Sequence, residues 1–322
     1  MTESASAQPR ESLPLDSTAQ LLTRITAQLG TQLSHVSLNG TRRPPMHRTI
    51  RPAPGTTTAT TTTATTTAPA LVAVAHGSRD PQALRTVVKL LDRVRELRPG
   101  LDVRLGHIEL NEPLLPSTLT GLGSGDAVLV PLLLGRGHHV KHDIPAAAAA
   151  APALRTTIAA PLGPHPLLVE ALYERLLEAG RPTEETASGS SAVILAAAGS
   201  RDPDSAADTR RTARMLSERL GGVPVVPAYA SAADPTVSAA ARALAARGRH
   251  RIAVASYFTA PGRFATAAAA AAPGIAAAPL GAHPAMARLI LHRYDRALAG
   301  QARSGAREAH ESAVNGALLA SA

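Results

Sequence analysis

Leu71-Val-Ala-Val-Ala-His76-Gly-Ser-Arg-Asp-Pro81 decides the fold, because the stretch occurs twice and returns as Val193-Ile-Leu-Ala-Ala-Ala198-Gly-Ser-Arg-Asp-Pro203. A nearly all-apolar run of strand length reads as a strand buried on both faces, as in a parallel sheet covered by helices. Two further pairs follow in the same order. Glu112-Pro113 returns as Asp234-Pro235, and Pro161-Leu-Gly-Pro-His-Pro166 returns as Pro279-Leu-Gly-Ala-His-Pro284. The first two pairs are separated by 122 residues and the last by 118, so the chain carries a duplicated module of just over 100 residues.

Within the first copy, Leu84, Val87, Val88, Leu91, Val94 and Leu97 recur at helical spacing over Pro81 to Leu97 and predict a helix with one buried face. Strands are expected at 70–75, 103–108, 127–134 and 156–160, and the remaining helices at 113–122, 144–151 and 166–179. The pattern is βαβαβαβα, which implies a parallel sheet with right-handed crossovers. Strands near Val193, Val225, Ile252 and Ile275 make the second copy. The expected fold is therefore α/β: two tandem flavodoxin-like modules, each a four-stranded parallel sheet flanked by helices. Residues 70–180 are the first module, 181–191 the linker and 192–299 the second module. Residues 1–69, ending in ten Thr and two Ala over 56–67, are expected to be a disordered extension, and 300–322 a flexible tail.

Composition narrows the function. The chain has 322 residues and no cysteine, which excludes disulfides, a thiolate nucleophile, zinc–thiolate sites and iron–sulfur clusters. The formal charge of +9 is spread as +3, +6 and 0 over residues 1–69, 70–299 and 300–322, and aromatics are 2%. Nucleic acid is a poor fit to so mild a charge without stacking residues. An Arg-dominated surplus suits a small polyanion. No apolar stretch is long enough to span a bilayer, and the signal-peptide pattern is missing, so a cytoplasmic protein without a membrane partner is expected.

Ligands of open α/β sheets bind beyond the carboxyl ends of the strands. There the first copy offers His76, then His107 and Glu109, then Gly137-His138-His139 followed by Asp143. The second copy has Ala198, Ser231 and Phe264 in place of His76, Glu109 and His139, while Gly-Ser-Arg-Asp-Pro and Gly-x-His-Pro persist. The persistent motifs read as scaffold and the replaced residues as function. His165 and His283 occur in both copies and are expected to be structural. His138 and His142 fit either a solvated loop or a metal-uptake cluster. Arg79, which also recurs, fits either an ion pair with its neighbouring Asp or an anion contact.

His76-Gly-Ser-Arg-Asp-Pro81, His107-Ile-Glu109-Leu-Asn-Glu112-Pro113 and Gly137-His-His139-Val-Lys-His-Asp143-Ile-Pro145 together resemble the sirohydrochlorin chelatases, the class II tetrapyrrole metal chelatases of CbiX and SirB type. The resemblance covers residues 70 to about 179 well and the second copy as a degenerate module forming the other cleft wall. It implies a lyase-class enzyme of siroheme or cobalamin biosynthesis that inserts Co2+ or Fe2+ into sirohydrochlorin. The metal would be substrate, with no tightly bound cofactor. His76 and His139 map to the metal site and Glu109 to the matching acid, as ligand, proton acceptor or partner of an imidazole. Arg79, Arg136 and Lys141 become candidate contacts to the substrate carboxylates. A monomer with an internal pseudo-dimer is expected. Two rivals remain: a cobalt or nickel carrier built on His138, His139 and His142, and a histidine-phosphatase-like hydrolase, against which stands Ala75 where that motif has Arg before His-Gly.

Overall fold

The computed structural model describes residues 68–182 and 189–320, with side chains through residue 303. The expectations for residues 1–67, and for most of the linker, lie outside the described residues. The first half contains β1 (Ala70–Ala75), α1 (Pro81–Leu97), β2 (Val103–His107), α2 (Leu115–Leu122), β3 (Gly125–Pro131), a π-helical turn (His139–Asp143), α3 (Ile144–Ala149), β4 (Leu154–Ile158) and α4 (Pro166–Glu178). The second contains β5 (Ser191–Ala197), α5 (Pro203–Arg219), β6 (Val225–Tyr229), α6 (Val237–Ala245), β7 (Arg251–Tyr257), α7 (Arg263–Ala270) and α8 (Pro284–Ala320). No helix among the described residues is long and apolar enough to cross a membrane.

The sheets run β2-β1-β3-β4 and β6-β5-β7, and every pairing is parallel. Strand order thus reverses beside β1 and beside β5, which puts the ends of the first three strands next to one another as the flavodoxin-like reading requires. The alternation of side chains along a strand explains why β1 is apolar throughout. Val72 and Val74 face an outer core with Leu115, Leu119 and Ile144. Leu71 and Ala73 face a central core that also holds Leu90, Leu168, Val193 and Leu289, so both halves contribute to it. Each fully buried leucine there stabilises the fold by roughly 1.5–3 kcal/mol.

Several expectations need correction. The second sheet has three strands, not four: near Ile275 only the bridge between Val254 and Ala276 forms. Alanines between Pro273-Gly274 and Pro279 have low strand propensity, whereas Leu154-Arg-Thr-Thr-Ile158 is rich in β-branched residues. Strands β3 and β4 start two residues earlier than expected, because Asp126 and Arg155, which look like loop residues, lie opposite one another and pair at 2.6 and 2.7 Å. In α1, Val88 and Leu97 are exposed while Leu90 is buried, so the apolar stripe is centred one position round from the expected one. Helix α8 continues through Ala320 where a flexible tail was expected from residue 300. Its Ala, Arg, Glu and Leu content favours helix strongly enough to carry three glycines at roughly 1 kcal/mol each.

Candidate functional site

Gly-Ser-Arg-Asp-Pro is a piece of scaffold built the same way twice. Gly77 has φ +103° and lies so close to the end of β2 that a Cβ would sit 1.8 Å from the Glu109 carbonyl oxygen; Gly199 has φ +91° and meets the Ser231 carbonyl at the same 1.8 Å. The approach lets the Glu109 N–H donate to the His76 carbonyl at 3.0 Å, and the Ser231 N–H to the Ala198 carbonyl at 2.9 Å. Ser78 and Ser200 accept from the Asp80 and Asp202 N–H groups, both at 3.1 Å, and each Asp caps the next helix with Pro in its first turn. Asp80 is therefore a helix cap rather than an ion-pair partner of Arg79. His165 and His283 are caps too, accepting from Leu167 and Ala285 N–H groups.

On this frame the first half carries the groups that the second lacks. His76 Nδ1 lies 3.5 Å from Glu109 Oε1. The His76 and His139 rings are 4.7 Å apart between centroids and nearly perpendicular at 86°. His139 is the first residue of the π-helical turn; residues i and i+4 are neighbours on a helical surface, and its Nδ1 lies 2.5 Å from Asp143 Oδ2. Asp143 accepting from Nδ1–H leaves Nε2 with a free lone pair, the form that binds a metal. The same coil places the His138 and His142 rings 4.6 Å apart on the outside of the turn. His107 is not part of this group, since its buried ring bonds the Pro113 carbonyl. Among the described residues, no three or more His, Cys, Asp or Glu side chains gather into a metal cage.

These groups open into a cleft of about 1160 Å3 between the halves, with His76, Glu109 and His139 on one side and Ala198, Ser231 and Phe264 on the other. That is somewhat above the usual range of small-molecule sites and leaves room for a large ligand. Strand ends from both halves meet across it. Tyr257 donates to the Leu134 carbonyl at 2.9 Å and Thr259 to the Leu132 carbonyl at 3.0 Å. Burial holds the Tyr257 hydroxyl protonated, its pKa well above the phenol range.

Two expected carboxylate contacts are otherwise engaged. Arg136 grips Asp208 through Nε at 3.0 Å and Nη2 at 2.8 Å, and Lys141 reaches Asp202 at 2.7 Å and Asp204 at 2.9 Å. Burial alone would raise the Asp208 pKa, but the hydrogen bonds from Arg136 outweigh it and hold the carboxyl below its usual range. Arg79 lines the cleft without an ion pair among the described residues, and so does Arg263, whose guanidinium stacks 4.9 Å from the Phe264 ring centre. Arg263 escaped the sequence reading although it sits within Gly262-Arg-Phe264, the counterpart of Gly137-His-His139. Asp143 was legible as the carboxylate four residues after His139. Asp208 carries no local signal at all, because its partner is 72 residues away.

The CbiX family model matches residues 70–179 and 192–297, about two thirds of the chain and the two sheets with their helices. The sirohydrochlorin ferrochelatase of Bacillus subtilis (strain 168) is 30% identical over 173 residues, 52% of this chain and 64% of that protein. The sirohydrochlorin cobaltochelatase of Methanococcus aeolicus is 37% identical over 79 residues, 24% of this chain and 55% of that protein. The chain thus spans less than two thirds of the length of either relative. Among solved structures, SirB from Bacillus subtilis with Fe3+ superposes with a TM-score of 0.58 at 24% identity, covering 71% of this chain and 94% of that one, which shows a shared fold. With both matched segments falling on the repeated sheets, the chain belongs to the CbiX family.

Proposed function

We propose that this protein is a chelatase that inserts Co2+ or Fe2+ into sirohydrochlorin, with 70–180 as its active module and 192–299 as the opposing wall. The observation that carries the reading is the pair of perpendicular imidazoles, His76 and His139, each with a carboxylate at its Nδ1 side and both open to the cleft. Two neutral imidazoles bind a borderline divalent ion firmly enough to capture it and release it to a tetradentate ring. A closed cage of three or four protein ligands would compete with that ring. The names of the relatives, one a ferrochelatase and one a cobaltochelatase, support the same chemistry with either metal.

The reaction exchanges M2+ for two pyrrole protons, so two proton acceptors are needed as the metal–nitrogen bonds form. The pairs His76–Glu109 and His139–Asp143 provide one each: an imidazole that has released the metal takes a proton, and its carboxylate stabilises the resulting cation. Glu109 thus acts beside His76 rather than as a third ligand. Arg79 and Arg263, on opposite sides of the cleft, hold peripheral carboxylates, with guanidinium forks matched to that shape. The apolar side chains Ala198 and Phe264 offer the macrocycle a surface with no competing ligand.

An anaerobic absorbance time course of sirohydrochlorin with each metal tests this. Wild type accelerates the spectral change over the uncatalysed rate, and His76→Ala or His139→Ala lowers kcat at least a hundredfold. Arg263→Ala raises KM for sirohydrochlorin several-fold with kcat little changed. Tight metal binding without acceleration would favour the carrier reading, for which the exposed His138–His142 pair speaks.

A further inference from the structure

We propose that Asp202, Asp204 and Asp208 of the second half are positioning residues for His139, acting through Arg136 and Lys141, so that the degenerate module holds the metal-binding turn of the active one. The inference rests on the reading of His139 as a metal ligand. Arg136 precedes His139 by three residues and Lys141, inside the turn, follows it by two, so the ion pairs bracket His139. Arg136 makes two guanidinium bonds to Asp208, and its backbone N–H donates to the same carboxylate at 3.0 Å. Asp208 is only 5% exposed, which makes this an anchored contact rather than a passing surface pair. Lys141 spans Asp202 and Asp204 at the N-terminus of α5.

The internal repeat supplies the control. Features that serve the fold, including the close-approach glycines, the serine–aspartate caps and the capping histidines, occur on both sides. The clamp does not. Opposite Arg136 and Lys141 the second half has Pro261 and Thr266, and opposite Asp204 and Asp208 the first half has Gln82 and Thr86; only the capping Asp recurs. The turn of the second half, which carries Phe264, is left without it. Charged anchors therefore occur where an imidazole must be held and not where none is present. A turn held in advance does not have to be ordered when the metal arrives, so the clamp strengthens metal capture.

The test is a titration with Co2+ alone, followed by visible absorbance, on the full chain and on Arg136→Gln, Arg136→Lys, Lys141→Ala and His139→Ala, with thermal unfolding of each. Lys141 is exposed enough that its loss will not unfold the chain. Arg136→Gln and Lys141→Ala are expected to weaken Co2+ binding about tenfold and to raise KM for the metal, with KM for sirohydrochlorin near wild type; Lys141→Ala keeps the unfolding temperature near wild type, Arg136→Gln lowers it because the buried Asp208 carboxylate loses its guanidinium, and Arg136→Lys recovers part of the loss. If His139→Ala weakens Co2+ binding and the clamp variants do not, the clamp is overturned while the metal site stands. If His139→Ala itself leaves Co2+ binding unchanged, both fall.

Discussion

Single atoms decide the geometry of the site. Gly77 and Gly199 have no room for a Cβ against the carbonyl they approach, and both hold a backbone conformation that side chains disfavour. Gly77→Ala and Gly199→Ala are each expected to destabilise the protein by more than about 1–2 kcal/mol, read from denaturant unfolding. The two losses should be similar, because the contacts are copies; a Gly77→Ala protein as stable as wild type would contradict the close approach. Asp143 acts differently. Asp143→Asn removes the charge beside His139 Nδ1 while keeping the shape, and should weaken Co2+ affinity about 10- to 100-fold with little change in stability. Unchanged affinity would mean that the His139–Asp143 contact does not set the form of the imidazole.

At the scale of elements, the His165 cap ties the start of one helix to pH. His165 caps α4, and burial, aided by the nearby Arg293 and His292, pushes its pKa down to about 4. Below about pH 6.5 the unfolded chain takes up a proton that the folded chain refuses, so this stability is present above pH 6.5 and is lost as pH falls toward 4. The half-buried ring limits the effect to on the order of 1 kcal/mol. His165→Asn keeps a good cap without the titration. Its urea midpoint should fall less than that of wild type between pH 7 and 4.5, and parallel curves would refute the assignment. Such elements were largely legible in the sequence. Continuous apolar runs located β1 and β5, helical spacing located α1 to its ends, and the repeat separated the capping residues from His76, Glu109 and His139. Where the reading slipped, physics beyond the local pattern was at work: the Asp126–Arg155 pair extends β3 and β4, alanine replaces β-branched residues near Ile275, and Arg136 and Lys141 find acids some 60–70 residues away.

Across the whole molecule, the repeat has produced one structure rather than two independent ones. The central core draws Leu71, Leu90 and Leu168 from the first half and Val193, Leu216 and Leu289 from the second, so cutting the chain would expose an apolar face on each. A fragment of residues 68–182 is expected to self-associate or fail to unfold cooperatively, which sedimentation and circular dichroism would report; a stable monomer would show that the core is divisible. The same joining makes the cleft, places a wall without ligands opposite the histidines, and lets one half hold the turn of the other. The proposed roles of His76 and His139 stand or fall with where a metal binds. The most direct measurement is the anomalous-difference map of a crystal of this protein loaded with Co2+. A peak is expected between the His76 and His139 rings at imidazole bonding distance, about 2.1 Å from a nitrogen of each. A peak at His138 and His142 instead, with none at His76, would contradict those roles.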